Sequence, residues 1–358
     1  MAQVSTAHSN RVTLSAFGRR NGGLHFWLVG LLLILGISVT LGVSLGPVPI
    51  PAGDVWGIAA AKVGLRQGGT WSTAHENIVW LIRFPRVLLA VFVGGRLAVV
   101  GVTLQALVRN GLADPYLLGI TSGASVGAVL AIGLGVFAFA GVYGVSVGAF
   151  AGALLAFVVV FVMAQRRGRI TPQRLVLAGV AVAYVFGGVT SFVTITAENR
   201  LLAGQVLSWT LGSLVRASWA DLTLPALTLL IGSLYLALQA RPLNALLMGD
   251  ESATGLGVDV VRLRRRLFVV TSLLTSVLVA VSGSIGFIGL MIPHLVRLFV
   301  GSDHRRVLPV ALLVGSIFLV WVDVIARTAF APTELPVGVI TALLGGPFFL
   351  WLLWRQNG

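Results

Sequence analysis

The chain has 358 residues, of which 57% are hydrophobic and only 10% charged, whereas a soluble domain carries about 25% charged residues. Too little charge remains to clothe a water-facing surface, which excludes an ordinary soluble domain. The net charge of +14 does not argue for nucleic acid either, because the cations sort by side of a membrane once the spans are placed.

Residues 1–23 are rich in Ser, Asn and Arg and read as a loosely ordered N-terminal tail, and residues 24–358 read as a single membrane-embedded domain. Apolar stretches such as Leu24 to Leu45, Val87 to Val108 and Val307 to Ile325 approach or exceed the roughly 20 residues that cross about 30 Å of hydrocarbon. Hydropathy places ten helical spans, at about 25–46, 84–108, 115–136, 141–164, 172–196, 218–239, 264–283, 286–302, 307–328 and 337–354. The first is too long, and too poorly followed by small cleavage-site residues, for a removable signal peptide, so it is expected to stay as a helix. After it, Val55, Ile58 and Ala59 have helical spacing and predict a short helix over 52–63, outside the bilayer. In the third span Gly119, Gly123 and Gly127 recur every four residues, as do Gly144, Gly148 and Gly152 in the fourth. That spacing lines small residues on one helix face and predicts close backbone packing. Ser282-Gly283-Ser284, Gly286, Gly289 and Pro293 predict irregular backbone, tolerated at membrane depth only beside protein or a water-filled cavity.

With ten spans both termini share one side, and most of the 25 basic residues fall there, including Arg109, Arg174, Arg264 and Arg305. The positive-inside bias puts that side in the cytoplasm, where the cations also meet anionic lipid. Cysteine is absent and the five histidines never pair four apart on a helix, so no metal centre or cofactor is expected. No Ser or Thr has a nearby histidine backed by a carboxylate, so no catalytic residue is expected. The one lysine, Lys62, stands in Ala-Ala-Lys-Val, so the phosphate loop of an ATPase is missing. Of eleven acidic residues only Asp323 lies clearly inside an apolar span, which argues against an ion-coupled secondary transporter. An external motor is the better expectation; a structural scaffold without transport is the third reading.

From Arg83 the chain reads Arg-Phe-Pro-Arg-Val-Leu-Leu-Ala, then Val-Gly-Gly, Leu-Gln-Ala-Leu-Val-Arg-Asn, Leu-Ala-Asp-Pro-Tyr-Leu-Leu-Gly and Ser-Gly-Ala-Ser. Further on come Leu177-Ala-Gly, Trp209-Thr-Leu-Gly-Ser-Leu, Gly249-Asp-Glu-Ser-Ala, Gly286-Phe-Ile-Gly-Leu, Pro293-His294, Asp303-His-Arg-Arg, Glu334-Leu-Pro-Val-Gly and Gly346-Pro-Phe-Phe-Leu-Trp. From residue 80 to the C-terminus this resembles the permease family of ABC importers for ferric siderophores, haem and vitamin B12. The resemblance implies an all-α permease of about ten helices, a second permease subunit (identical or paralogous) and two cytoplasmic ATPases. It also implies an extracytoplasmic binding protein that delivers an iron chelate to the permease, which carries it across the inner membrane of a prokaryote. On family frequency the substrate is a ferric siderophore, with haem and cobalamin next.

The resemblance also implies roles for residues. Asp250, Glu251, Ser252, Ala253 and Leu256 match the coupling helix that sits in a cleft of the ATPase; physically, Asp250 can N-cap such a helix and Gly257 can end it. Arg83, Arg86 and Arg327, at outer span ends, match arginines that receive acidic residues of the binding protein, for which a bidentate guanidinium is suited. Arg327 can also pair with Asp323 one turn away. Asn110 and Leu112, with Pro172 and Gln173, match the inner gate. Arg96 falls mid-span, where a cation costs at least about 2.5–3.5 kcal/mol. It is expected to face the bundle interior, either lending positive potential toward an anionic chelate or bonding backbone carbonyls.

Overall fold

The computed structural model describes residues 21–166, 169–196 and 200–356; all but the last three residues of the expected N-terminal tail lie outside them. The first helix, α1 (Asn21–Ser44), is followed by α2 (Ala52–Lys62) and α3 (Thr73–Asn77), which runs through a π-helical turn (Ile78–Arg83) into α4 (Phe84–Val108). Then come α5 (Ile120–Leu134), α6 (Gly144–Ala164), α7 (Pro172–Thr196), α8 (Arg200–Thr210) and α9 (Trp219–Leu238). Two short helices, α10 (Ala240–Leu247) and α11 (Asp250–Gly255), lead to α12 (Val260–Ser282), α13 (Ile288–Val300), α14 (His304–Thr328) and α15 (Val337–Gln356). A two-residue antiparallel pair, Gln165–Arg166 with Arg169–Ile170, closes the turn between α6 and α7.

Seven helical stretches are long and apolar enough to span a membrane, and α5, α13 and α15 supply three shorter apolar helices. The fold is therefore the expected all-α bundle of about ten spans. Two of the short ones have visible causes. A 3₁₀ turn (Pro115–Leu118) and left-handed Gly119 precede α5, while Gly283 and Phe287, both at positive φ, delay the start of α13. The irregular backbone expected here is confined to 283–287, and Gly289 and Pro293 lie within regular α13.

The core is organised around α4. In its most apolar stretch 83% of residues are buried, against 17% for α1 and α7. Glycine permits that enclosure: a Cβ at Gly94 would overlap the Gly315 carbonyl of α14, and one at Gly101 the Gly289 carbonyl of α13. The four-residue glycine repeats behave likewise, with Gly123 set against Gly152 and Gly127 against Gly148, so α5 and α6 touch backbone to backbone. Where lipid provides no hydrophobic drive, this close approach supplies the dispersion contact. Trp27 of α1 meets Phe299 of α13 at a ring separation of 6.1 Å, so the start of α1 lies at the bundle end where α4, α13 and α15 finish.

Candidate functional site

At the face where α1 begins and α15 finishes, α10 and α11 form an elbow. Gly249 makes the bend at φ 109°, a conformation that L side chains rarely adopt. Gly249, not Asp250, occupies the N-cap, and no side-chain cap bond is made. The Asp250 carboxylate is taken instead by the Arg264 fork, Nη1 to Oδ2 at 2.6 Å and Nη2 to Oδ1 at 2.8 Å, with Arg109 Nη1 3.8 Å away. A bidentate charged pair outcompetes a single cap bond to a backbone amide. Gly257, at φ 81°, follows the last turn as expected. Ala253 anchors α11 in the protein, whereas Glu251, Ser252 and Leu256 face outward.

A second attachment passes through α10. Asn244 donates to Asp303 Oδ1 at 2.7 Å and accepts from the His304 backbone N–H at 2.9 Å. Asp303 also caps α14 by accepting from Arg305 N. Burial works against its charge, yet the Asn244 amide, the Arg305 N–H and the nearby arginines hold its carboxyl below the ordinary value. The elbow is thereby tied to α12, to the end of α4 and to the start of α14.

The expected gate residues are on this face, at the ends of α4 and α7. Left-handed Arg109 ends α4, and Asn110 Oδ1 accepts from Leu112 N at 2.9 Å, leaving Leu112 exposed. Pro172 opens α7, with Gln173 exposed beside it; no hydrogen bond joins the two loops among the described residues. Beyond Leu112 the chain folds back into the bundle: Asp114 accepts from Tyr116 N, and the Tyr116 hydroxyl meets Ser284 at 3.0 Å. In the sequence Asp114 and Tyr116 stand inside a longer motif, and the Asp-Pro turn signature is the local signal of the re-entry.

At the opposite face the three expected docking arginines are buried. Arg83 donates to the carbonyls of Val43, Ser44 and Val48. Arg86 binds Asp323 Oδ1 through Nε and Glu334 Oε2 through Nη1, each at 2.7 Å. Arg327 donates to Gly42 O and has Nε 3.8 Å from Asp323 Oδ2. Closing the gap between α1, α4 and α14 places each guanidinium below the surface with internal acceptors. Glu334, with its side chain 37% exposed, is the member of the network that reaches solvent.

Beside Glu334 opens a cavity of about 1000 Å³, lined by the ends of α6, α8, α9 and α12 and by the strap Glu334–Pro336. Its polar members include Tyr143, Gln205, Ser208 and Arg216, none of which the sequence had singled out.

Arg96 is 1% exposed, at mid-span. It donates to Pro225 O at 2.6 Å and also bonds Thr228 Oγ1, both on α9. No carboxylate pairs with it among the described residues.

The architecture is that of a polytopic membrane protein with a short exposed helix at one face and a cavity at the other. The chain belongs to the FecCD transport family, which it matches over residues 32–355. It is accordingly a membrane permease subunit of an ABC importer, in which ATP hydrolysis resides in separate subunits. It is 43% identical over 327 residues (91% of this chain, 86% of the relative) to the cobalamin import system permease of Halobacterium salinarum. To the hemin transport system permease of Yersinia pestis it is 41% identical over 336 residues, 92% of this chain and 96% of the relative. Among solved structures, a metal-chelate type ABC transporter in an inward-facing conformation superposes with TM-score 0.79 at 29% identity, covering 92% of this chain and 98% of that one.

Proposed function

We propose that the chain is one half of a dimeric permease that moves a metal chelate inward across the cytoplasmic membrane, driven by ATPases seated on α11. The observation that carries the reading is the elbow: Glu251, Ser252 and Leu256 are presented outward while Asp250 and Asn244 bind its base to three spans. A partner pressing on α11 would therefore move α4, α12 and α14 together. The basic residues of the same face support a cytoplasmic orientation for it by the positive-inside bias. The mechanism is a shift between outward- and inward-open states, set by which state each nucleotide form of the ATPase binds better.

The relatives favour a corrinoid or haem-type chelate over the ferric siderophore that family frequency suggested. For the extracytoplasmic binding protein, the buried Arg83, Arg86 and Arg327 against buried Asp323 and exposed Glu334 leave three positive charges facing two negative ones. That excess attracts an acidic partner by its field. Asn110, Leu112, Pro172 and Gln173 frame the cytoplasmic gate. Ion coupling is disfavoured because Asp323 is held by Arg86.

The test is uptake into proteoliposomes. Accumulation should require the ATPase and ATP and ignore sodium and proton gradients; accumulation by the permease alone would overturn the reading. The ligand that co-purifies with the cognate binding protein identifies the substrate.

A further inference from the structure

The cavity at the face away from the elbow contains three charged side chains, Arg216, Asp221 and Glu334. Two are already committed. Asp221 accepts from the backbone N–H and hydroxyl of Ser218, at 3.0 and 2.6 Å, in the capping box that starts α9. Glu334 is neutralised by Arg86 at 2.7 Å. Arg216 has no hydrogen bond or ion pair among the described residues, and neither do the cavity's Tyr143, Gln205 and Ser208 side chains.

Among the described residues the cavity's one charged side chain without a partner is therefore a cation, set beside neutral hydrogen-bonding groups and an apolar wall that includes Ile132 and Val145. We propose that this cavity binds the anionic edge of an amphipathic chelate, its carboxylate held by the Arg216 guanidinium and its apolar face against that wall. A guanidinium fork fits a carboxylate with two parallel hydrogen bonds. At about 1000 Å³ the space is at the upper end of ordinary small-molecule sites, large enough for a macrocycle. The inference rests on the proposed importer function and narrows its ligand to one carrying free carboxylates.

The experiment measures equilibrium binding of mesoporphyrin, a dicarboxylate, and of its dimethyl ester to the permease assembled with its ATPases in phosphatidylcholine nanodiscs. Wild type should bind the dicarboxylate more tightly than the ester. Arg216→Gln should weaken dicarboxylate binding about tenfold, to the level of the ester, as expected for one charge-assisted contact. Arg216→Lys should lose less. A Cβ at Gly204 would meet nothing within 4 Å, so Gly204→Phe should fold normally, grow into the cavity and weaken both porphyrins. Equal dicarboxylate binding by wild type and Arg216→Gln, equal binding of acid and ester, or no binding of either would overturn the inference. ATP-dependent haemin uptake, measured in parallel, reports on the importer reading separately: the binding pattern can hold while uptake fails, and the reverse.

Discussion

The two ends of the bundle use the same ion-pair chemistry at opposite depths. At the face with the elbow, Arg264 reaches from the protein to Asp250, whose side chain is 47% exposed. At the other face Arg86 holds Asp323, whose side chain is fully buried. A pair with one member in water can be loosened at small cost, because solvent replaces the lost partner. A buried pair cannot, since removing one member strands the other. The accessible contacts thus fall where a moving partner would act, and the inaccessible ones where α1, α4 and α14 must stay joined.

Breaking the buried end should have the largest effect. Asp323→Ala leaves Arg86 and Arg327 without their shared carboxylate and should cost roughly 3–5 kcal/mol, seen as a drop in melting temperature and in monodisperse yield in detergent. Combining it with Arg86→Met should recover part of the loss; an Asp323→Ala protein as stable as its parent would remove the contrast between the ends.

Next is Gly127→Leu. The new side chain would meet the Gly148 backbone, and overpacking of this kind costs about 1–3 kcal/mol. Thermal unfolding measures it, and Gly187→Leu is the control, because nothing lies within 4 Å of a Cβ there.

At the accessible end Asp250→Asn should cost only about 1 kcal/mol of stability, yet change coupling. Asn244→Leu, which cuts the tie from α10 to Asp303, should do the same. In both, ATP hydrolysis by the assembled complex should continue while solute moved per ATP falls at least severalfold, a ratio obtained by measuring both rates in one proteoliposome preparation. An unchanged ratio in both variants would show that the elbow transmits force without these bonds.

How much of this was legible in the sequence depends on range. Span number, the glycine faces of α5 and α6, and the existence of α2 and α11 follow from local periodicity and turn chemistry, which one sequence contains. The partner of Asp250 does not follow, because a cap and a tertiary ion pair make the same local pattern. Nor does the burial of Arg86: its partners are 237 and 248 residues away, and periodicity says which face of a helix is apolar without saying which helix covers it. The cavity was illegible for the same reason, since Tyr143, Gln205, Arg216 and Glu334 come from four separate segments.

The smallest expected effect tests whether Asp303 belongs with the accessible end. Its carboxyl titrates below the ordinary value of 3.8, so its charged form is the one the fold favours. A depressed folded value means the stabilisation is fully present above pH 3.8 and is lost as the pH falls through the lower folded value. Asp303→Asn can still accept from Arg305 N but cannot titrate. Its melting temperature should therefore lie slightly below that of the parent at pH 6, and the gap should narrow as the pH is lowered toward 3. Differential scanning fluorimetry in detergent, across that range, reads the gap directly. A gap that stays constant would mean that the Asp303 charge contributes nothing to holding α10 against α14, leaving that junction to Asn244 and the His304 backbone.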